Sequence, residues 1–415
     1  MKAWRKNLVQ LKDTDQCLLA LLQMALFHDP AHESSKPCAD WPSVIAQARS
    51  QTVVPMVYDA LMKLPQADRP SEALISELRR ETLFSIASYE HLLTMQDEVL
   101  SHFALVHIPC AILKGASVAV HYPKPELRMM GDIDVLVEEA DLDKASQELE
   151  KRGFRKNDTK HECHITFEKA GVHVELHHAV SVVPDNPAGD TIRRLMRDAV
   201  HSTAMAALDC HRFPVLSKAH QAVSLLLHMQ KHITSSGLGL RQLCDWAAFV
   251  NRLDKSDWES SISTTLKCCG LYRLSEILTK TCVLYLGLDK DSLLWCMHIP
   301  DALCLAVIQD FLNSGNFGRG DPAHTVSGTL VLHGKSHAKR QFFLHSILSN
   351  LNDTAYRRFP LCKKVPILLP FLWAFFPLRY FVRMQTGKRP KQSIKKILVK
   401  ARQRDSLYES FELFK

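Results

Sequence analysis

The sequence lacks several patterns that would assign it to other classes of protein. Its 12 cysteines include no Cys-x-x-Cys pair, so neither a structural zinc site nor a disulfide framework is expected. Its 15 glycines in 415 residues are few, which favours helices over tight turns. The amino-terminal residues reach Asp13 and Asp15 without an uninterrupted apolar stretch, so no signal peptide is expected. These observations predict a globular protein of the cytoplasm.

Positive charge is concentrated at the carboxyl-terminal end of the chain. The net charge is +8, and residues 351–415 hold fifteen Lys and Arg against four Asp and Glu, a local excess of +11. The first 350 residues therefore carry a net charge of −3. A nucleic-acid-binding body needs basic residues across one of its faces, so this distribution does not favour nucleic acid as a partner.

Hydrophobic periodicity divides the chain into four regions. Residues 1–103 predict a helical amino-terminal cap, and residues 104–185 predict short strands mixed with helices. Residues 186–312 predict a helical domain, and residues 313–415 an irregular loop followed by a basic, apolar module. The predicted fold class is therefore α+β, with a mixed sheet flanked by helical regions.

The carboxyl-terminal module contains an apolar segment between basic flanks. Residues 365–382 carry Arg379 as their single charge, but they include three prolines, which disfavour a regular membrane-spanning helix. Residues 361–404 could instead lie in an anionic membrane interface, at about 1 kcal/mol for each favourably positioned Lys or Arg. This would make the protein peripheral on the inner face of the membrane. The alternative is an apolar strap packed on the helical domain.

Two carboxylates are predicted to lie side by side on one strand. Residues 131–137 read Gly-Asp-Ile-Asp-Val-Leu-Val, and strand alternation puts Asp132 and Asp134 on the same face. Neighbouring like charges raise the pKa of one partner unless a cation compensates them, and Mg²⁺ is a hard cation that prefers carboxylate oxygens. Glu175, on the predicted strand 172–176, would complete a cluster of three carboxylates.

The order of these motifs resembles the polymerase-β-like nucleotidyltransferase superfamily: a small-residue turn after one strand, Asp-x-Asp on the next and a single acid on a third. Over roughly residues 15–260 the chain resembles more closely a bacterial family labelled nucleotidyltransferase family protein. The residues of this closer resemblance are the Leu-Lys-Gly turn, Tyr122-Pro123, Arg128 ahead of Gly-Asp-Ile-Asp, the Glu-Leu-His-His strand, and Arg241 with Asp245. The turn reads Gly-Ala-Ser where Gly-Ser or Gly-Gly is commoner, so Ser117 is displaced by one residue.

The resemblance implies metal-dependent transfer of a nucleoside monophosphate from a nucleoside triphosphate, such as ATP, to a hydroxyl, with release of pyrophosphate. The expected catalytic and metal-binding residues, for two Mg²⁺ ions or alternatively Mn²⁺, are Asp132, Asp134 and Glu175. The expected nucleotide-binding residues are Lys114, Gly115, Ser117 and Arg128. The candidates for the acceptor site are His177, His232, Arg241 and Asp245.

Three of these candidates, His232, Arg241 and Asp245, belong to pairs with helical i, i+4 spacing. His228 and His232 could share a metal, but no third ligand is implied and Lys231 is adjacent, which favours ordinary packing. The spacing of Arg241 and Asp245 fits a helix ion pair worth a few tenths of a kcal/mol. A role for both residues at the mouth of the site fits equally well.

The sequence does not identify the acceptor. A small molecule, peptide or glycan precursor is the leading class, and a protein or RNA acceptor is the nearest alternative. A non-catalytic, membrane-associated binding protein that retains the fold is a third hypothesis. The three carboxylates argue against it, because a chain without catalysis has no physical reason to keep three repelling acids together.

Overall fold

The computed structural model describes most of the chain. The described residues are 9–27, 40–157, 161–233, 237–289, 293–316 and 406–415, with the isolated positions 38, 291, 352, 355, 359, 366–373, 375, 379 and 404. Within them, helices precede and follow a central mixed sheet, which confirms the predicted α+β class.

Four helices precede the sheet. They are α1 (Asp13–Phe27), α2 (Trp41–Gln51), α3 (Val54–Lys63) and α4 (Glu72–Leu105). Helix α2 begins where the Asp40 carboxylate accepts a hydrogen bond from the Ser43 amide, which satisfies one of the amides left open at a helix start. Helix α4 is 34 residues long, and this length lets its first half join a helical core while its second half packs on the sheet.

Seven strands form one sheet in the order β3-β4-β5-β2-β1-β7-β6. The strands are β1 (Cys110–Ile112), β2 (Asp132–Val137), β3 (Arg155–Lys156), β4 (His164–Lys169), β5 (Val172–His177), β6 (Thr203–Leu208) and β7 (His211–Leu216). Strand β2 is parallel to β5, β1 is parallel to β7, and the other neighbours are antiparallel. Helix α5 (Ala116–Ala119) follows β1, and α6 (Leu142–Lys151) follows β2.

Strands β6 and β7 lie within residues 186–312, which the sequence predicted to be helical. Strand β7 pairs with β1, and β6 forms the outer edge, so the sheet continues past residue 185. Strand β6 reads Thr-Ala-Met-Ala-Ala-Leu and is mostly exposed, so it lacks the apolar alternation that indicates a strand. The division into four domains otherwise stays a prediction.

The remaining helices of the described residues follow β5, and all but the shortest of them contribute buried side chains to the largest apolar cluster. They are α7 (Pro187–Arg197), α8 (Lys218–Ile233), α9 (Leu240–Asn251), α10 (Lys255–Asp257), α11 (Ser263–Cys268), α12 (Tyr272–Leu286) and α13 (Asp301–Ser314). Buried residues of α1–α3 belong to the same apolar cluster as those of α8, α9, α12 and α13, and α1 packs on α12. The predicted cap therefore joins the helical region, and it reaches the sheet chiefly through α4.

The last residues of the chain also pack on this helical core. The Phe411 ring is fully buried, and the Phe414 amide donates a 2.8 Å hydrogen bond to the Gly270 carbonyl. The Arg404 guanidinium is buried, with Nε 3.4 Å from Asp310 Oδ1 and 2.8 Å from the Tyr408 hydroxyl. The prediction that the membrane-facing segment extends to Arg404 is therefore wrong for this residue, because its charge is compensated inside the protein.

Most of residues 361–403 lie outside the described residues, so interfacial attachment stays a prediction. Among the positions that the structure does describe, no helix is both long enough and apolar enough to cross a bilayer.

Candidate active site

The candidate site begins where β1 leaves the sheet. Residues 111–113 are buried, and the chain turns at Gly115 with φ 62° and ψ −113°, a conformation that residues with a Cβ rarely adopt. A Cβ at this position would lie 3.4 Å from Met130 Sδ and 3.6 Å from the Asp132 carbonyl oxygen. These are ordinary contact distances, so the requirement for glycine comes from the backbone conformation of a turn that lies against the start of β2.

The sheet brings the three predicted carboxylates together. Asp134 is in register with Glu175 on the adjacent parallel strand, and Asp132 lies two residues away on the same face of β2. Carboxylate oxygens of the three residues lie within 4.8 Å of one another. The alternate residues Ile133 and Val135 are buried in the core of the sheet, which fixes the face that the acids occupy.

Two positive or ionisable groups compensate these acids. Lys114 Nζ lies 2.7 Å from Asp134 Oδ1, and His177 Nε2 lies 2.9 Å from the same oxygen and 3.2 Å from Glu175 Oε2. Burial alone would raise the pKa of Asp134, but Lys114 and His177 hold that pKa well below its ordinary value. Burial alone would lower the pKa of Lys114, but the charges of Asp134 and Asp132 raise it above its ordinary value.

The compensation is incomplete at Asp132. The negative charge of Asp134 and then burial raise the pKa of Asp132 to about 6, against partial relief from Lys114. The cluster therefore holds more negative charge than its own cationic side chains neutralise. Divalent cations bound by the carboxylate oxygens would supply the missing positive charge, so the residues present suit such ions.

Arg128 and Asp245 form a buried ion pair. Arg128 Nε and Nη2 donate hydrogen bonds of 2.7 and 2.8 Å to the two oxygens of Asp245, which also accepts a 2.7 Å bond from the Tyr122 hydroxyl. A buried guanidinium requires such a partner. The pair ties the loop before β2 to α9. The predicted contacts of Arg128 with nucleotide and of Asp245 with the acceptor stay predictions.

Ser117, whose hydroxyl is predicted to bind phosphate, lies in the short helix after the Gly115 turn. Its side chain is buried, with Oγ 3.5 Å from the Lys114 carbonyl oxygen, and the Ser117 carbonyl accepts a 2.7 Å bond from Gln221. The amides of residues 117–119 hydrogen-bond to the carbonyls of Lys114 and Gly115. A triphosphate would therefore approach the backbone at Gly115 more readily than the Ser117 hydroxyl.

The remaining acceptor-site candidates are dispersed around the cluster. His177 lies among the carboxylates, and Arg241 Nη1 donates a 3.1 Å bond to the Met129 carbonyl in the loop before β2. The rings of His228 and His232 make an edge contact at 4.5 Å. Burial and then the charge of Lys114 lower the pKa of His232 to about 3 and that of His228 well below its usual value. Both imidazoles are therefore neutral.

The structure adds a residue that the sequence analysis missed. His164 on β4 is in register with His177 on β5, and its Nε2 atom lies 3.6 Å from Glu175 Oε1. A hairpin turn at Ala170-Gly171 predicts this pairing, because strands joined by a two-residue turn pair residues at equal distances from it. The spacing of His164 and His177 around that turn was the available signal.

Comparison with known families decides the general reaction. A family model described as "Uncharacterised nucleotidyltransferase" matches residues 37–287, more than half of the chain. The chain belongs to this nucleotidyltransferase family. The match confirms the resemblance drawn from the glycine turn and the carboxylate motifs, and it identifies the protein as a transferase of nucleotidyl groups. It spans α2 to α12, so the family includes both the sheet and most of the helical core. No curated protein matches the chain.

Proposed function

We propose that the protein transfers a nucleoside monophosphate from a nucleoside triphosphate to a hydroxyl of a small molecule, peptide or glycan precursor, and that it requires Mg²⁺ or Mn²⁺. The main support is the register of β2 and β5, which sets Asp134 beside Glu175 with Asp132 on the same face. The Gly115 turn adjoins the start of β2, so a triphosphate at the turn would have its phosphates near the three acids.

The carboxylates of Asp132, Asp134 and Glu175 would hold the cations. Divalent cations held there would stabilise the negative charge that develops on the entering and leaving oxygens during displacement at phosphorus. The raised pKa of Asp132 supports this assignment, because it marks the acid whose charge the protein's own residues leave least compensated.

The chain's own residues would bind, orient and accept a proton. The Gly115 backbone would approach the triphosphate closely, and Lys114 would neutralise charge that develops on the pyrophosphate. Glu175 would accept the proton of the attacking hydroxyl. The 3.2 Å contact from His177 to Glu175 would keep that carboxylate in position.

Labelling at two positions of the triphosphate tests the reaction. The protein is incubated with Mg²⁺, a small-molecule cell extract and each of the four nucleotides, labelled at either the α- or the γ-phosphate. Nucleotidyl transfer moves the α-label onto an acceptor and leaves the γ-label in pyrophosphate, whereas transfer of the γ-label would indicate a phosphotransferase. A parallel incubation with the macromolecular fraction tests the alternative, a protein or RNA acceptor.

Two matched variants connect the reaction to the site. Asp132→Asn removes a charge from the cluster and should abolish Mg²⁺-dependent nucleotide binding in equilibrium dialysis. Glu138→Gln removes an acid just after β2, whose carboxylate pairs with the half-exposed His201, and should bind like the wild type. Equal nucleotide binding by both variants, or none of the four nucleotides bound by the wild type, would refute the proposal.

A further inference from the structure

A cluster of two histidines and one glutamate lies beside the three carboxylates. Ligand atoms of His164, His177 and Glu175 lie within 4.8 Å of one another, so Glu175 belongs to both groups. The pairing of β4 with β5 creates this cluster by setting His164 directly opposite His177. The two rings lie with centroids 4.7 Å apart.

One ring nitrogen of His164, Nε2, is buried without a hydrogen-bond partner. The residue is 7% exposed, and its Nε2 atom has no hydrogen bond in the structure. Leaving a buried polar nitrogen unsatisfied costs about 1–3 kcal/mol, so such an atom needs an explanation. The Nε2 atom points toward Glu175 Oε1 at 3.6 Å, which is too long for a hydrogen bond.

The separations in the cluster are close to those of ligands around one metal ion. Two ligands at about 2.0–2.1 Å from a tetrahedral ion lie about 3.3 Å apart. His177 Nε2 is 3.2 Å from Glu175 Oε2, and His164 Nε2 is 3.6 Å from Glu175 Oε1. His177 Nδ1 lies 3.3 Å from the Ala179 carbonyl oxygen, which orients the ring and holds a proton on Nδ1. His177 Nε2 also contacts Asp134 Oδ1 at 2.9 Å, a hydrogen bond that metal binding would replace, with release of the Nε2 proton.

We propose that His164, His177 and Glu175 form a further divalent-metal site, which takes Zn²⁺ or a similar first-row transition ion in preference to Mg²⁺. Two imidazoles favour such ions, whereas Mg²⁺ prefers oxygen ligands. Through Glu175 the site adjoins the carboxylate cluster, so it extends the metal chemistry of the proposed function. It needs no nucleotide to form.

Metal binding without nucleotide tests the site. The purified full-length protein is titrated with Zn²⁺ against a chromogenic chelator, with excess Mg²⁺ in a second series. Zn²⁺ should bind with a defined stoichiometry, and excess Mg²⁺ should not prevent this binding. His164→Gln should weaken Zn²⁺ binding by about 10–100-fold or more. Loss of a residue that merely hydrogen-bonds to a metal ligand already costs about this much in metal affinity. His102→Gln is the matched control, because His102 is a similarly buried histidine paired with Glu148 outside either metal-ligand cluster found in the described residues.

Co²⁺ distinguishes this site from adventitious binding by thiols, since the described cysteines are free. Bound Co²⁺ should show ligand-field absorption without sulfur-to-cobalt charge transfer, and His164→Gln should remove that absorption while circular dichroism confirms an intact fold. Zn²⁺ binding that is absent in the wild type, unchanged by His164→Gln or thiolate-based in the Co²⁺ spectrum would overturn the proposal.

The outcomes separate this proposal from the proposed function. A wild type that binds nucleotide with Mg²⁺ but fails to bind Zn²⁺ refutes the histidine site alone. A wild type that binds Zn²⁺ through His164 but binds none of the four nucleotides refutes the proposed function alone. Asp132→Asn should lose Mg²⁺-dependent nucleotide binding and retain Zn²⁺ binding.

Discussion

At the scale of single residues, charge compensation organises the candidate site. Asp134 is almost fully buried, yet it stays ionised because Lys114 and His177 both contact one of its oxygens. Asp132 has no comparable contact and its pKa rises to about 6. The same face of the sheet therefore holds one strongly compensated acid and one weakly compensated acid, which is a suitable environment for cations that bind both.

The first prediction concerns Lys114. Removal of its ammonium by Lys114→Ala leaves the carboxylates less compensated, so the variant should be less stable and should gain more from Mg²⁺. A ligand that binds only the native state stabilises the protein by about 2.7 kcal/mol when the ligand concentration is 100 times the Kd. Thermal unfolding with and without Mg²⁺ measures this gain. A variant whose Tm does not respond to Mg²⁺, beside a responsive wild type, would show that the cation does not replace the lysine charge.

The second prediction concerns the buried pair of Arg128 and Asp245. Asp245→Asn preserves the shape of the side chain but leaves the guanidinium without its counter-charge, which should cost about 3–5 kcal/mol of unfolding free energy. Asp190→Asn is the control, because Asp190 pairs with Arg193 at an exposed position, and the change should cost at most about 1 kcal/mol. Urea unfolding compares the two, and equal losses would contradict a structural role for the buried pair.

At the scale of secondary-structure elements, the turn after β1 depends on one backbone conformation. Gly115 allows the chain to leave the sheet and immediately meet the start of β2. The short α5 that follows has only four residues, so the turn itself positions the backbone. The adjacent Gly131 has open space where a Cβ would be, so it does not share this constraint.

The third prediction compares these two glycines. Gly115→Ala should cost about 1–3 kcal/mol, because alanine is strained at this φ and ψ, and it should weaken nucleotide binding by moving the turn. Gly131→Ala should change the unfolding free energy by no more than about 0.5 kcal/mol. Urea unfolding and equilibrium dialysis measure the two effects. If the two variants are equally stable, the turn does not depend on the conformation of Gly115.

At the scale of the whole molecule, helix α1 and the last ten residues, 406–415, pack on one helical core. Helix α1 packs on α12, and Tyr408 and Phe411 are buried in the same cluster. Glycine at position 270 permits the packing of the last residues, because a Cβ there would lie only 2.6 Å from the Phe414 Cα. Deletion of residues 361–415 would therefore remove core side chains along with the apolar segment, and it cannot serve as a clean test of membrane attachment.

The fourth prediction separates stability from membrane attachment with two phenylalanines. Phe411 is fully buried and Phe371 is 73% exposed. Phe411→Ala should cost about 3–5 kcal/mol of unfolding free energy, and Phe371→Ala should be nearly neutral. If residues 361–403 attach to a membrane interface, the full chain should float with anionic liposomes, less strongly at high salt, and Phe371→Ala should weaken flotation. Failure of the wild type to float at low salt would rule out the attachment.

Local patterns in the sequence predicted much of the fold and part of the site. Apolar periodicity predicted most of the helices and the region of short strands, because most of these elements have a buried face that repeats at their own period. Strand alternation placed Asp132 and Asp134 on one face, since that relation needs only two residues of one strand. Strands β6 and β7 were missed, because an exposed edge strand and a strand with Pro214 give no such pattern.

Tertiary structure decided the contacts between residues distant in sequence. Asp245 pairs with Arg128, which is 117 positions away in the sequence. The sequence pattern does not indicate whether Asp245 pairs with Arg128 or with the neighbouring Arg241. Asp134 lies beside Glu175 because β2 and β5 pair in one register, and a shift of one residue would turn the Glu175 side chain to the opposite face. Alternation within a strand is local and can be read from sequence, whereas register and helix packing depend on the free energy of the whole fold.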